Sequence, residues 1–186
     1  MNLPNKLTLL RVCMIPFFVV LAKMSGFGMQ LAAVAVYILA CVTDALDGHI
    51  ARSRNLITNF GKFMDPIADK LLVMSAMIVL AAQGRMPDWV CILMLGREFL
   101  VSGFRLVAVE NGRVIAAGPL GKLKTVFQML STIALMLLVP VQAADAPLLG
   151  QAGATFARVL MYIALALTVV SGADYIVRNR DCIRDM

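Results

Sequence analysis

The sequence contains a single histidine, His49, which excludes a zinc or haem site built on several histidines. Its four cysteines, Cys13, Cys41, Cys91 and Cys182, show no paired spacing, and three of them lie in apolar runs. We interpret them as small buried apolar residues rather than as disulfide or metal partners. No small-x-small cleavage site follows the first apolar run, so we expect an uncleaved first span rather than a signal peptide. The sequence also lacks internal repeats and low-complexity segments.

Polar residues are too scarce for a soluble domain. Of the 186 residues, 61% are hydrophobic, and the mean hydropathy is +0.86, whereas soluble domains are about half apolar. This composition predicts an all-α integral membrane protein with a single domain over residues 1–186. In such a protein the net charge of +6 sets the orientation in the membrane and does not indicate nucleic-acid binding.

Six apolar runs approach the length that a helix needs to cross the hydrocarbon core, which is about 20 residues. Clusters of glycine and proline separate these runs, and this division predicts six transmembrane helices. We expect residues 2–6 to form a short interfacial segment before the first span. The predicted spans cover residues 7–22, 29–51, 66–83, 89–109, 123–141 and 156–177.

Basic residues outside the spans lie mainly on one side of the membrane. That side holds both termini and the loops around residues 52–65 and 110–122. Because lysine and arginine are enriched in cytoplasmic loops, we expect this side and both termini to be cytoplasmic, in a multi-pass protein of the plasma membrane.

Four aspartates interrupt the apolar sequence. Asp44 and Asp47 are three residues apart, and Asp65 and Asp69 are four apart, so each pair shares one face of a helix. Asp65 followed by Pro66 has the pattern of an N-cap with proline at the first helical position, which predicts that the third helix begins there. Two facing acidic pairs predict a polar cavity that opens to the cytosol and binds a hard divalent cation, Mg²⁺ or Mn²⁺.

The aspartates belong to a longer pattern, Asp44-x2-Asp47-Gly48-x2-Ala51-Arg52-x8-Gly61-x3-Asp65-x3-Asp69. This pattern resembles, at every position, the signature of the CDP-alcohol phosphatidyltransferase family. The resemblance implies a metal-dependent enzyme that transfers a phosphatidyl group from CDP-diacylglycerol to an alcohol. It also implies six transmembrane helices in a lipid membrane, a homodimer and two divalent ions, Mg²⁺ or Mn²⁺.

The same resemblance implies a role for each matching residue. Metal would be bound by the four aspartates, Asp44, Asp47, Asp65 and Asp69. Asp69 would also act as the catalytic base. The CDP-lipid would be bound by residues of the signature and of the entry into the first span, namely Asn5, Thr8, Gly48, Arg52, Thr58 and Gly61.

Ionisable residues of the fourth span point to the acceptor. Glu98, Ser102 and Arg105 fall on one stripe of a helix, a pattern that a buried glutamate–arginine pair fixing helix packing would also explain. Arg97-Glu98 and Ser102-x2-Arg105 resemble the branch of the family that makes phosphatidylglycerophosphate. A phosphorylated acceptor needs several cations, and sn-glycerol 3-phosphate is the predicted one. The residues predicted to bind its phosphate are Arg105, Arg113, Lys122, Lys124 and Arg178.

Three alternatives stay open at this point. Another member of the family could use inositol phosphate, serine or phosphatidylglycerol as its acceptor. An aspartate-rich membrane prenyltransferase also uses Mg²⁺ and diphosphates, although its aspartate spacing differs. A divalent-cation transporter would also place carboxylates within the membrane, but the basic residues near the aspartates argue against it.

Overall fold

A computed structural model describes residues 3–53, 59–110, 118–140 and 149–179. Within these ranges the side chains are described except at residues 3–5, 44–53, 59–63, 65, 66 and 110. Helices make up almost all of the described chain, and no strand occurs in it. The predicted all-α fold is therefore confirmed for this part of the protein.

Each predicted span corresponds to one helix of the described chain. The helices are α1 (Leu3–Lys23), α2 (Phe27–Ser53), α3 (Asn59–Ala82), α4 (Asp88–Glu110), α5 (Pro119–Leu138) and α6 (Gly150–Arg178). By length and composition, α5 and α6 are able to cross a membrane. The crossing of a membrane by all six helices stays a prediction, as does the metal-containing cavity.

The helices begin earlier than the apolar runs predicted. Because α1 starts at Leu3, residues 3–6 form its first turn and not a separate segment, while their interfacial position stays a prediction. Likewise α3 starts at Asn59, so Asp65 and Pro66 lie inside the helix, and the predicted cap at this position was wrong. Proline removes one backbone donor, but a helix of a membrane protein tolerates it when neighbouring groups satisfy the freed carbonyl. An apolar run therefore marks only the apolar part of a helix, not the polar turns that extend it.

The start of α5 also differs from its predicted position. Gly118 is its N-cap in an extended conformation, and Pro119 occupies the first helical turn, where a missing N–H costs nothing. Lys122 consequently lies within α5 and not in the loop that precedes the predicted span, and Lys124 lies further inside the helix than its predicted place at the edge.

The chain divides into two compact units, Met1–Gln83 and Gly84–Met186. The single domain expected from the sequence stays a prediction. In the first unit, α1 packs against both α2 and α3. Its core includes Phe18 of α1 and Tyr37 of α2, whose ring centroids are 5.7 Å apart and whose side chains are fully buried.

One backbone carbonyl connects the three helices of the first unit. Gln30, near the start of α2, donates a hydrogen bond of 3.0 Å from Nε2 to the carbonyl oxygen of Ala22 in α1. Gln83, which follows the end of α3, donates a hydrogen bond of 2.6 Å from its own Nε2 to the same oxygen. These bonds fix the position of each helix along its neighbours at this end of the unit.

In the second unit, α6 packs against both α4 and α5. Small residues recur along the buried face of α6 and allow its neighbours to approach closely. They are Gly153, Ala154, Ala157, Ala164, Thr168, Ser171 and Gly172. In α5 the buried face begins with a polar stripe that consists of Lys124, Gln128, Ser131 and Thr132. The hydroxyls of Ser131 and Thr132 donate to the carbonyl of Gln128 in their own helix, which satisfies them locally.

The pairing of aromatic rings gives the direction of α4 relative to α6. Trp89, near the start of α4, lies 6.3 Å from Tyr162 between ring centroids. Phe104, near the end of α4, lies 5.6 Å from Tyr175 in an edge-on arrangement. Contacts that advance along both helices in the same order show that α4 and α6 run parallel.

Candidate active site

The Ala22 carbonyl provides a common reference point for the predicted site residues of the first unit. Thr8 lies before Ala22 in α1, and Asp69 of α3 lies before Gln83, the residue that follows α3. The two separations along the sequence are equal. At the helical rise, Thr8 and Asp69 each lie about 21 Å from the hydrogen bond that joins the two helix ends. Because α1 and α3 pack side by side in parallel, Thr8 and Asp69 lie at one level of the unit.

The second helix brings its aspartates to the same level. Asp44 follows Gln30 by that same number of residues, and α2 runs away from the Ala22 carbonyl toward Asp44. Asp47 lies about one turn further along α2 than Asp44. Asp65 lies about one turn further from the Ala22 carbonyl than Asp69 does. The helix backbones therefore bring all four predicted metal-binding aspartates to one end of the first unit, at matching depths.

The predicted donor-binding residues are described to different extents. Thr8 is buried, with 1% of its surface exposed, and Asp69 is partly buried. The backbones of Asn5, Gly48, Arg52 and Gly61 lie in helices, whereas Thr58 lies outside the described residues. The side chains of Asp44, Asp47 and Asp65 also lie outside the described set.

The chemistry of this donor set suits a hard divalent cation. All four candidate ligands are carboxylates, and oxygen ligands of this kind are preferred by Mg²⁺ and Mn²⁺. The backbone placement described above is compatible with a shared site, because both acidic pairs reach the same level from two helices of one unit. Metal binding itself stays a prediction.

Arg11 is a candidate that sequence reasoning passed over. It lies in α1 one turn after Thr8, and it is fully buried. The sequence contained the signal, since a charged side chain within an apolar span is costly and marks a functional position by default. Arg11 falls within the first predicted span, residues 7–22, and no role was predicted for it. Its burial beside Thr8 makes it a further candidate for contact with an anionic ligand at this level of the unit.

An ion pair connects α4 and α5 in the second unit. Lys124 of α5 is buried, with 2% of its surface exposed, and its Nζ contacts Oε1 of Glu98 in α4. Nη1 of Arg97 lies 3.4 Å from the same oxygen. The arginine in contact with Glu98 is thus its chain neighbour Arg97 and not Arg105 of the predicted stripe, and Lys124 joins the pair from another helix. The hydroxyl of Ser102 donates a hydrogen bond of 2.6 Å to the carbonyl oxygen of Glu98.

Arg97 extends this cluster to α6. Its Nη2 donates a hydrogen bond of 2.9 Å to Oγ of Ser171. Its side chain passes over Gly172, where an added Cβ would lie 3.0 Å from the Cγ of Arg97. Neither Ser171 nor Gly172 was identified from the sequence. The available signal was again the charge of Arg97 within a span, which requires a polar partner on a neighbouring helix.

Arg105 lies on the aromatic side chain of Tyr175. Its Cζ is 5.6 Å from the ring centroid, within the range of a cation–π interaction. Phe104 contacts the same ring edge-on. The Nε of Arg105 and the hydroxyl of Tyr175 are buried and have no hydrogen-bond partner among the described residues. Tyr175 was not predicted from the sequence, because an aromatic residue in an apolar run carries no signal of its own.

The remaining predicted acceptor residues are more exposed. Arg178 forms a hydrogen-bonded ion pair of 2.7 Å with Asp174, one turn earlier in α6, and its side chain is 72% exposed. Lys122 is exposed in the first turns of α5, and Arg113 lies outside the described residues. The structure thus places Arg105 and Lys124 inside the second unit and Lys122 and Arg178 at its surface.

The chain belongs to the CDP-alcohol phosphatidyltransferase family, whose sequence profile matches residues 1–170. Among its relatives, a protein of Bacillus subtilis (strain 168) named CDP-diacylglycerol–glycerol-3-phosphate 3-phosphatidyltransferase is 40% identical over 98% of this chain and 97% of its own length. A protein of Mycobacterium tuberculosis (strain H37Rv), named probable phosphatidylglycerophosphate synthase, is 43% identical over 95% of this chain and 81% of its own. A Rickettsia typhi protein with the same name as the Bacillus one is 37% identical over 94% of both chains.

These matches confirm the family that the aspartate pattern predicted. They also favour the branch that the Arg97-Glu98 and Ser102-x2-Arg105 patterns resembled, because the names of all three relatives refer to that branch. The prenyltransferase and transporter alternatives have no comparable support.

Proposed function

We propose that this protein transfers the phosphatidyl group of CDP-diacylglycerol to sn-glycerol 3-phosphate, giving phosphatidylglycerophosphate and CMP. The observation that carries the proposal is the aspartate signature, Asp44 to Asp69, in a chain that aligns over nearly its full length with relatives named for this reaction. The common level of Asp44, Asp69 and Thr8 in the first unit supports a single site built from α1, α2 and α3.

In this reaction Asp69 acts as the base. Its carboxylate takes the proton from an acceptor hydroxyl, and the resulting oxygen attacks the lipid-side phosphorus of the diphosphate. A new phosphorus–oxygen bond forms to the acceptor, and the bond from that phosphorus to the bridging oxygen breaks. CMP leaves with the bonding electron pair. Partial burial of Asp69 limits its contact with water, which favours proton transfer to the carboxylate in a defined geometry.

Four carboxylates, those of Asp44, Asp47, Asp65 and Asp69, would hold two divalent ions. When bound, Mg²⁺ or Mn²⁺ supplies positive charge next to the phosphate oxygens of the donor. The donor would lie against Asn5, Thr8, Gly48, Arg52, Thr58 and Gly61. Glycine at position 48 allows close approach of a flat group to the helix backbone, and the guanidinium of Arg52 suits a phosphate.

The acceptor phosphate would be bound by cations of the second unit. Arg105 and Lys124 are the stronger candidates, because both are at least partly buried and a charge in such a place binds an anion more strongly than a solvated one. Arg178 is weaker, since it is exposed and already paired with Asp174. Lys122 is exposed, and Arg113 completes the set proposed from the sequence.

We also place the enzyme in the plasma membrane as a homodimer, with six spans and with both termini and the aspartates on the cytoplasmic side. An interfacial position suits the two substrates, because one is a lipid and the other is a soluble phosphate ester. The excess of basic residues on the side of the termini supports this orientation.

The test is an acceptor competition with purified protein in detergent micelles that contain labelled CDP-diacylglycerol and Mg²⁺. We expect CMP release with sn-glycerol 3-phosphate and little release with inositol phosphate, serine or phosphatidylglycerol. A reaction without any acceptor serves as the control for hydrolysis. Turnover with one of the other acceptors and none with sn-glycerol 3-phosphate would replace the proposed activity by that of another family member.

A further inference from the structure

The polar cluster of the second unit forms an unbroken chain of contacts through three helices. It begins at Ser171 in α6, continues through Arg97 and Glu98 in α4, and ends at Lys124 in α5. Both α4 and α5 pack mainly on α6. The contact between Glu98 and Lys124 connects α4 directly to α5 through side chains.

Arg97 is held on both sides of its guanidinium. Nη2 donates to Ser171 and Nη1 donates to Glu98, while the aliphatic part of the side chain lies against the backbone of α6 at Gly172. A planar guanidinium with two fixed partners has little rotational freedom, so it defines the position of the Glu98 carboxylate.

The lysine at the end of the chain depends on this arrangement. A lysine ammonium is a compact charge on a flexible stem with several rotatable bonds, and by itself it has no preferred position. In the buried surroundings of Lys124, the contact with Glu98 selects one position for Nζ. Because Arg97 and Lys124 share the carboxylate of Glu98, each cation is neutralised less than it would be by a carboxylate of its own.

We propose that Glu98 and Arg97 are positioning residues, which together with Ser171 hold the Lys124 ammonium where it meets the phosphate of the acceptor. This inference rests on the proposed function, in which Lys124 is one of the cations that bind that phosphate. Preorganisation of a binding group lowers the cost of ordering it when the ligand arrives, so the effect falls on acceptor binding and not on the donor.

Two variants test the proposal at different strengths. Glu98→Gln keeps the shape of the side chain but removes its charge, and we expect the KM for sn-glycerol 3-phosphate to rise about tenfold. Ser171→Ala removes one hydroxyl that holds Arg97, and we expect a rise of about threefold with little effect on folding. The KM for CDP-diacylglycerol should stay unchanged in both. Ser131→Ala is the matched control, because its hydroxyl bonds only within α5 and should change neither constant.

A double-mutant cycle separates positioning from a purely structural role. If Glu98 acts through Lys124, the double variant Glu98→Gln/Lys124→Gln has the same acceptor KM as Lys124→Gln alone. Additive effects would overturn the proposal, as would an equal loss of apparent affinity for both substrates. An unchanged acceptor KM in both Glu98→Gln and Ser171→Ala would also overturn it. If Glu98→Gln does not fold, the cycle is measured with Ser171→Ala.

Calorimetric binding of sn-glycerol 3-phosphate distinguishes this inference from the proposed function. A wild-type protein that binds the acceptor but releases no CMP contradicts the proposed reaction. Weaker binding by Glu98→Gln in the same experiment still supports the positioning role. A wild-type protein that does not bind the acceptor contradicts both.

Discussion

Gln83 is joined to Ala22 by a hydrogen bond of 2.6 Å from its Nε2 to the carbonyl oxygen, and this bond connects the ends of two parallel helices. The bond affects the predicted site, which lies at the opposite ends of the same helices. A fixed contact at one end sets the register along the whole packed length, and that register brings Thr8 and Asp69 to the same level. The bond thus connects a position far from the predicted chemistry to the alignment of the site.

Gln83→Leu tests that connection. The variant loses the bond to Ala22, but it also removes Oε1 of Gln83, which is buried and has no partner in the described part of the chain. The two effects partly offset each other, so we expect a destabilisation of about 1 kcal/mol, visible as a lower Tm in detergent. Gln151→Leu, at an exposed position of α6, is the control. A Tm as high as that of the control would show that the bond has no part in fixing α3.

Asp69→Asn tests the assignment of the base. Asparagine has the shape of aspartate but does not accept a proton, so we expect kcat to fall by about 10²–10⁴-fold. The same change at Asp88, which is exposed at the start of α4, should leave kcat unaltered. Single-turnover CMP release is the measurement. Retention of full turnover in Asp69→Asn would assign the base to another group.

Removal of metal should abolish activity. We expect a chelator to stop CMP release and added Mg²⁺ or Mn²⁺ to restore it, because the carboxylates of Asp44 and its three partners leave strong negative charge unbalanced without a cation. In Asp44→Asn the concentration of Mg²⁺ needed for half-maximal rate should increase by about tenfold or more. Replacing even a residue that only hydrogen-bonds to a metal ligand weakens metal binding by about that factor. Undiminished turnover in the presence of the chelator would exclude a required divalent ion.

The helix pattern was predictable because an apolar run and its glycine or proline boundaries are local properties of the sequence. The ends were not, because polar turns that extend a helix beyond its apolar part carry no hydropathy signal. Asp65 and Pro66 illustrate the difficulty. Their pattern matches a helix start, yet α3 already begins at Asn59 and continues through the proline.

For the candidate site, the sequence predicted charged residues better than their partners. Lys124 and Glu98 were each identified, but not their contact, because it joins two helices through side chains that no spacing rule relates. Ser171 and Tyr175 were missed altogether, since a hydroxyl or an aromatic ring in an apolar helix is common and acquires meaning only from the arginine beside it.

Arg105→Gln tests the second of the two stronger candidates for binding the acceptor phosphate, a partly buried arginine. The change removes the charge that lies on the ring of Tyr175, and we expect the KM for sn-glycerol 3-phosphate to rise about 10- to 100-fold, as for a lost charge-assisted contact. The KM for CDP-diacylglycerol should remain within about twofold of wild type. Arg158→Gln, at an exposed position early in α6, is the control. Equal acceptor KM values in the two variants would remove Arg105 from the acceptor site.

Gly172→Ala tests the close approach of Arg97 to α6. The added Cβ would lie 3.0 Å from Cγ of Arg97, and the arginine has little room to move because Ser171 and Glu98 hold its guanidinium. We expect a destabilisation of about 1 kcal/mol, since the cost of overpacking exceeds what alanine adds to helix stability. Thermal unfolding in detergent is the measurement.

The matched change Gly103→Ala in α4 should have the opposite effect on stability. An added Cβ there meets no atom within 4 Å, so Gly103→Ala should be neutral or should stabilise the helix by up to about 1 kcal/mol. A difference in Tm between the two variants therefore measures the contact with Arg97 rather than the intrinsic preference of alanine for a helix. Equal stability of Gly172→Ala and Gly103→Ala would show that Arg97 moves aside freely, and its rigid placement against α6 would then be untenable.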